Sequence, residues 1–238
     1  MSIEIDPPCA YSLDKVQLRF LGPNDIDEFK VLCRDWFPIE YPNGWYKEVT
    51  SGQKFFSLAV TLNNEIIGVI VAEVKERKKC NKEDSTILGY WYPSNVKVAY
   101  ILILGVKKQY RRIGIASLLL DNFVSQLRTE ENQYCKAVYL HVLPTNTAAI
   151  SFYEKQNFKF HRVLWNYYNI NDRKMDGYCY AMYLNGGEPP WTVLDFAKNF
   201  SRCFCDKRRL FAPFRFVLKL FLMLYMYMQC YSNRVWNL

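Results

Sequence analysis

The sequence predicts an α/β (α+β) domain: a mixed central sheet flanked by helices, followed by an amphipathic membrane-binding tail. Three observations carry this. Strand-like and helix-like segments follow one another as β-α-α-β-β-β-α-β-α-β-β. Two of the strands, "VAYILILGV" (98–106) and "KAVYLHVL" (136–143), are almost entirely apolar, as strands covered on both faces are. From residue 207 onward the composition changes to cations set beside an apolar run.

The elements are read in order. "VQLRF" (16–20) alternates and is a short strand. In "GPNDIDEFKVLCRDWF", Asn24 is the expected N-cap, with Asp27 three residues on, and Ile26, Phe29, Leu32, Cys33 and Trp36 recur at helical spacing. "FPIEYPNGW" (37–45) holds two prolines and Asn-Gly and is a loop; "WYKEVTS" adds one or two helical turns. "KFFSLAVTL", Asn63-Asn64 and "EIIGVIVAEV" form a hairpin. Residues 75–93 are charged and irregular. The strand at 98–106 leads to the helix "IASLLLDNFVSQLR", the strand at 136–143 to the helix "NTAAISFYEKQ", and "FKFHRVL" and "YCYAMYL" are the last strands. The domain therefore spans 16–184, after an extension at 1–15. Residues 185–206, opened by "NGGEPP" (185–190), form a linker with a short amphipathic segment, and 207–238 form the tail.

Net charge is +8, but Lys207, Arg208, Arg209, Arg215, Lys219 and Arg234 lie in a tail without acids, which leaves +2 for residues 1–206. That asymmetry points to an anionic surface as partner of the tail and argues against nucleic acid. The eight cysteines show no C-x-x-C spacing, and there are two histidines, His141 and His161, so no metal site is expected. The start "MSIEIDPPCAYSLDK" lacks the basic and apolar regions of a signal peptide. The cysteines read as reduced thiols facing the cytosol.

"VKKQYRRIGIASLLL" (106–120) joins the buried strand to a helix start. The first N–H groups of a helix have no internal acceptor, and that end carries partial positive charge. Gly114 and Ala116 leave room for a phosphate to approach the backbone, and Arg111 and Arg112 add cations. The turn has neither the Lys-Ser/Thr of a P-loop nor a G-x-G-x-x-G. The alternative is a basic turn with a helix-starting glycine.

"RRIGIA" (111–116), after its strand and before its helix, resembles the R/Q-x-x-G-x-G/A loop of the GNAT acetyltransferase superfamily. "YLHVLPTNTAAISFYEKQNF" (139–158) resembles the second half of that family's acetyl-CoA site. The likeness covers residues 16–184. "DWFPIEYP", "KFFSLA" and "NGGEPPWT" are similar, more narrowly, to Golgi-associated N-alpha-acetyltransferases within it. Two departures are Ala116, where many members have glycine, and Pro144 after the His141 strand.

The resemblance implies a GNAT acyl-CoA N-acyltransferase fold and acetyl-CoA as cofactor. The pantetheine arm would lie along Leu104, Gly105 and Val106, and the pyrophosphate on Arg111, Arg112, Ile113, Gly114, Ile115, Ala116 and Ser117. Asn146 would contact the cofactor amides, and Tyr153 would lie near the thioester sulfur. Other readings stay open: Gly105 as a bulge or a close approach, Asn146 as a helix cap, Tyr153 as a core aromatic. His141 would accept the amine proton, directly or through water, with Tyr100 as a second base or water-positioning hydroxyl. His161 reads as structural. Phe37, Glu40, Tyr41 and Leu102 would form one wall of the substrate mouth, Tyr167 and Tyr168 the other. A tyrosine-rich hairpin also suits core packing or a homodimer surface.

The substrates implied are the α-amines of cytosol-facing N-termini beginning Met-Lys, Met-Ala, Met-Val or Met-Met, notably those of transmembrane proteins. The competing functions are a GNAT enzyme acting on lysine side chains (histones included) or small amines, and a non-catalytic acyl-CoA-binding membrane adaptor. In "KRRLFAPFRFVLKLFLMLYMYMQC" (207–230), Pro213, Arg215 and Lys219 break the apolar run. A spanning helix needs about 20 apolar residues. The tail is therefore read as a helix lying in the interface of an anionic membrane, with a helix packed on the protein itself or in a dimer as the alternative. This gives a peripheral protein on the cytosolic face of an intracellular membrane, the Golgi by resemblance. Cys203, Cys205 and Cys230 are weak candidates for palmitoylation.

Overall fold

The computed structural model describes residues 16–37, 40–170 and 172–191. The chain divides into two compact units, Met1–Pro189 and Pro190–Leu238. The expected extension at 1–15, the tail at 207–238 and nearly all of the second unit lie outside the described residues.

The elements are β1 (Val16–Phe20), α1 (Ile26–Trp36), α2 (Asn43–Thr50), β2 (Phe55–Leu62), β3 (Glu65–Glu76), β4 (Lys97–Val106), α3 (Ile115–Leu127), β5 (Cys135–Val142), α4 (Thr147–Lys155), β6 (Lys159–Ile170) and β7 (Arg173–Tyr183). This is the expected order. They build one seven-stranded sheet in the order β1-β2-β3-β4-β5-β7-β6. Every neighbouring pair is antiparallel except β4 and β5, which are joined by the α3 crossover. The β2–β3 hairpin turns on Asn63 and Asn64, both at positive φ, a conformation asparagine tolerates.

Local signals misled at three places. Asn24 does not cap α1. A short 3-10 turn, Pro23–Asp25, precedes the helix, and Asp25 reaches back to accept the Gly22 N–H at 2.7 Å while pairing with Arg19 at 2.6 Å. α2 begins at Asn43, inside the expected loop, so Asn-Gly opens a helix there rather than a turn. β6 and β7 extend through "WNYY" to form a long hairpin, because their pairing continues to Ile170 and Arg173.

Each face of the sheet buries its own cluster. Ile115, Leu119, Leu120 and Phe123 of α3 join Tyr153 of α4 against Ile67, Ile70, Ile101 and Leu140. On the other face Phe29, Leu32 and Val49 of α1 and α2 cover Ile66, Val69 and Ile103. Burying each such side chain contributes about 1.5–3 kcal/mol. A third cluster forms where Ile87 and Leu88, from the β3–β4 loop, pack on Val98 and Tyr139. Arg77 organises this loop. Its Nε and Nη2 donate to the Ser85 carbonyl at 3.2 and 3.1 Å, and its Nη1 to those of Gly89 and Tyr92, both at 3.1 Å. Among the described residues no helix is long and apolar enough to cross a bilayer.

Two of the sheet's irregularities shape the cleft and its mouth. Pairing of β4 with β5 ends at Ile101↔Leu140, and the register of β4 against β3 slips at that point, leaving Leu102 as the extra residue of a bulge. Beyond it, β4 continues to Val106 with β3 on one side and no strand on the other. The other bulge is in β6, between Leu164 and Tyr168. Asn166 takes φ 51° there, and its N–H is held by the Asp176 carboxylate at 2.8 Å.

Candidate active site

The turn after β4 has the geometry of an anion cradle. Arg112 and Gly114 take φ of 69° and 94°. Gly114 is the N-cap of α3, and nothing lies within 4 Å of where its side chain would begin. Glycine adopts this left-handed conformation most readily and leaves the space above it open. The first bond of α3 runs from the Leu118 N–H to the Gly114 carbonyl at 2.9 Å. The N–H groups of Ile115, Ala116 and Ser117 consequently have no acceptor in the helix. Arg111 is anchored by its Nε to the Val106 carbonyl at 2.9 Å.

These residues line a cavity of about 840 Å³ between the unpaired half of β4 and the helices α3 and α4. Leu104, Gly105, Val106, Arg111, Arg112, Gly114, Ile115, Ala116, Ser117, Asn146 and Tyr153, all expected cofactor contacts, are on its wall. Ile113 is not: it is exposed, and its side chain lies off the wall. Gly105 is a close approach, not a bulge. A Cβ there would meet the Trp36 indole at 2.1 Å, and the bulge sits upstream at Leu102. Trp36 and Phe37 close one side of the cavity. Asn146 does cap α4, its Oδ1 accepting the Ala149 N–H at 3.2 Å, while also lining the cavity. Burial holds the Tyr153 hydroxyl well above its ordinary pKa, so it stays protonated. A long cleft with unpaired N–H groups and two arginines at one end and an apolar body fits acetyl-CoA, an anionic head on a slender arm.

Where β4 and β5 part, a hydrogen-bonded chain crosses the sheet. Tyr100 of β4 and His141 of β5 meet, Tyr100 Oη lying 3.2 Å from His141 Nδ1. Tyr167, turned inward by the β6 bulge, comes closer to the same nitrogen at 2.7 Å. On the other side of the ring, Nε2 lies 2.9 Å from Asp84 Oδ1, and the Tyr139 hydroxyl donates to Asp84 Oδ2 at 3.2 Å. The His141 and Asp84 side chains are each 1% exposed. Asp84 only accepts, so Nε2 carries the hydrogen and Nδ1 presents its lone pair to the two tyrosines. Both ring nitrogens of His141 are thus engaged by protein groups, Nδ1 by the tyrosine hydroxyls and Nε2 by Asp84. Burial raises the Tyr100 pKa well above its usual value and pushes Tyr167 up to about 12, so both are hydroxyl donors near neutral pH.

Asp84 escaped the sequence reading because it lies in the irregular stretch 75–93. The signal available was the apolar pair Ile87-Leu88, which shows that this charged loop is packed down. Cys179 is the cross-strand neighbour of His141, and Asp84, His141 and Cys179 bring three potential ligand atoms within 4.8 Å of one another. Burial pushes the Cys179 thiol up to about 12. The bond between Nε2 and Asp84 already engages the other two groups. His161 contacts Thr86 at 3.2 Å and helps fasten the loop.

The aromatic residues proposed for the substrate mouth come from the loop after α1 and from the β6–β7 hairpin. Tyr41 stacks on Trp45 with centroids 4.3 Å apart. Tyr167 and Tyr168 meet edge to face at 5.0 Å, with Gly177 leaving room for both. Burial first, and the neighbouring tyrosines after it, raise the pKa of Tyr168, while burial, then Cys33 and the nearby tyrosines, push Tyr41 up to about 12. Leu102 is partly buried and packs against the same apolar cluster as Phe37 and Tyr41. Glu40 is exposed, and its charge is felt at Tyr46 of α2 rather than among these tyrosines.

The chain matches the model of the acetyltransferase (GNAT) family over residues 26–158. It is 52% identical over 185 residues to the N-alpha-acetyltransferase 60 of Danio rerio, covering 78% of this chain and 76% of that one. It is 30% identical over 190 residues to the histone acetyltransferase MCC1 of Arabidopsis thaliana, covering 76% and 75%. Among solved structures it resembles Arabidopsis thaliana NAA60 in complex with acetyl-CoA, with TM-score 0.64, 30% identity, and 72% and 99% of the two chains covered.

Proposed function

As a member of the GNAT family, the chain is an N-terminal acetyltransferase that uses acetyl-CoA, and we propose that it discharges the amine proton through Tyr167 and Tyr100 to a His141–Asp84 pair. The observation that carries this is the seating of His141 between two tyrosine hydroxyls and a buried carboxylate, at the point where β4 and β5 separate. The cofactor supplies an activated acetyl thioester. Its phosphates would be held by Arg111, Arg112 and the N–H groups of residues 115–117, its arm by the free edge of Leu104–Val106, and its amides by Asn146.

The α-amine has a pKa of about 8, so part of it is protonated in the cell. A tyrosine hydroxyl takes its proton while passing its own to His141 Nδ1. The imidazolium formed is stabilised by Asp84, whose other oxygen is fixed by Tyr139. Only a modest base is needed, and general-base assistance is typically worth about 10²–10⁴-fold. The tyrosines of the mouth would clamp a peptide backbone and leave little width for a lysine stem.

The substrates would be N-termini beginning with Met followed by Lys, Ala, Val or Met, particularly those of transmembrane proteins facing the cytosol. The charge and apolar pattern of 207–230 supports a peripheral site on the cytosolic face of an anionic membrane, the Golgi by resemblance. A homodimer through the tyrosine hairpin is a further proposal on the same footing. Acetyl transfer to peptides with free or blocked α-amines tests the specificity, and activity confined to free α-amines is the expected result. Equal activity on blocked, lysine-containing peptides would favour a second reading as a lysine acetyltransferase, to which the relative named as a histone acetyltransferase lends support.

A further inference from the structure

We infer that Gln156, a residue off the cavity wall, sets the Ser117 hydroxyl as a donor to the anionic end of the cofactor. Gln156 closes α4, where its backbone N–H meets the Phe152 and Tyr153 carbonyls at 3.1 Å. Its side-chain Nε2 donates to Ser117 Oγ at 2.9 Å, joining the end of α4 to the first turn of α3. A serine hydroxyl has one proton and two lone pairs, and an amide NH₂ can only donate. The contact therefore consumes a lone pair and leaves the proton. A helical serine often spends that proton on the carbonyl four residues back. Among the described residues Ser117 makes no such bond, and Ser117 lines the cavity.

The consequence is a fourth donor. The N–H groups of Ile115, Ala116 and Ser117 already converge at the start of α3. The Ser117 O–H, left with no acceptor among the described residues, joins them. Gln156 is a positioning residue: it touches no ligand and acts through Ser117. Its bond also ties together two helices that line the cleft. The inference rests on the reading of residues 111–117 as the pyrophosphate site.

The test uses the full chain and two acetyl donors, acetyl-CoA and S-acetylpantetheine, which has the same thioester but no pyrophosphate. Gln156→Met keeps the length and removes the donor. Its KM for acetyl-CoA should rise about 3–10-fold with kcat unchanged, the scale of one weakened hydrogen bond to a charged group. Gln156→Glu should raise it further, because a carboxylate takes the Ser117 proton for itself. Ser117→Ala should match or exceed Gln156→Met, and adding Gln156→Met to it should change nothing more. Kinetics with S-acetylpantetheine should stay the same throughout. An unchanged KM for acetyl-CoA in Gln156→Met, or equal rises for the two donors, would overturn the inference. Gly114→Asn separates it from the underlying reading. Intact acetyl-CoA binding in that variant would overturn both, whereas lost binding there with a silent Gln156→Met rejects Gln156 alone.

Discussion

The Tyr167 hydroxyl lies 2.7 Å from His141 Nδ1, closer than the Tyr100 hydroxyl at 3.2 Å. The two tyrosines come from opposite sides of the site, β6 and β4, and share one lone pair. The shorter contact is made by the residue that the β6 bulge rotates inward. In the proposed relay, the first protein atom to meet the departing proton would thereby be set by a bulge in the hairpin that also carries the proposed substrate mouth.

Replacing Tyr167 with Phe should accordingly lower kcat more than replacing Tyr100 does, each by less than the loss of His141 itself. Steady-state rates on one peptide, with the KM for acetyl-CoA as internal control, decide it. A larger loss from Tyr100→Phe would make the β4 tyrosine the main proton carrier.

Asp84→Asn keeps the size of the side chain and removes its charge. The imidazolium then loses its counter-ion, and kcat should fall by about 10²–10⁴ with little change in acetyl-CoA affinity. The deficit should shrink above about pH 8, where the α-amine loses its proton unaided. A deficit that is the same at every pH would mean that Asp84 only holds the loop in place.

Gly114→Asn should bind coenzyme A far more weakly while melting within a few degrees of the wild type. Asparagine tolerates left-handed backbone, so the added bulk, not strain, is what the ligand meets. Gly114→Val adds backbone strain on top and should lose stability as well. Calorimetry with coenzyme A and a thermal melt separate the two effects, and normal affinity in the Asn variant would show that the open space above Gly114 is not used.

The buried tyrosines make the fold sensitive to alkali. Tyr41 and Tyr167 are held at about 12 by burial, against 10.0 in the unfolded chain. Their raised values favour the folded state at full strength below pH 10. As pH rises from 10 toward 12 the unfolded chain ionises first, and that contribution is lost. Denaturant midpoints should be flat through neutral pH and fall beyond about pH 10, and less steeply in Tyr41→Phe.

Residues 1–190 should form an active enzyme, since every proposed site residue precedes Asn185. The full chain should bind anionic vesicles through its tail. Each nearby cation contributes on the order of 1 kcal/mol. Reversing Lys207, Arg208 and Arg209 should weaken binding most at low salt, where the charges are least screened, and Phe216, Leu220 and Leu224 changed to Ser should release it at any salt. A tail that resists alkaline carbonate with one end protected from protease would be a spanning helix instead.

Much of this architecture was legible because it is written in short-range pattern. The element order, the Asn63-Asn64 turn and the phosphate turn depend on neighbours within a few residues. What was missed depends on residues far apart in sequence. Asp84 looks like any acid in a charged loop until Arg77, Ile87 and Leu88 fold that loop onto β5. Asn24 has the right chemistry for a cap, but Arg19, six residues before Asp25, recruits the neighbouring aspartate. Asn43-Gly44 reads as a turn, yet the packing of Tyr46 and Val49 against α1 and the sheet makes it the start of a helix. Gly105 announced a special position, but Trp36, the residue that needs it, is 69 positions away.

The separation of β4 from β5 gives the protein a sheet edge in its middle rather than at its rim. An exposed edge invites any extended chain to pair with it. On the proposed binding mode the cofactor arm along Leu104–Val106 would serve as a substitute strand, and the ligand would become part of the secondary structure. Folding is then linked to ligand supply: at 100 times its dissociation constant a ligand adds about 2.7 kcal/mol of stability. On that binding mode, acetyl-CoA supply would act on the amount of folded protein as well as on turnover.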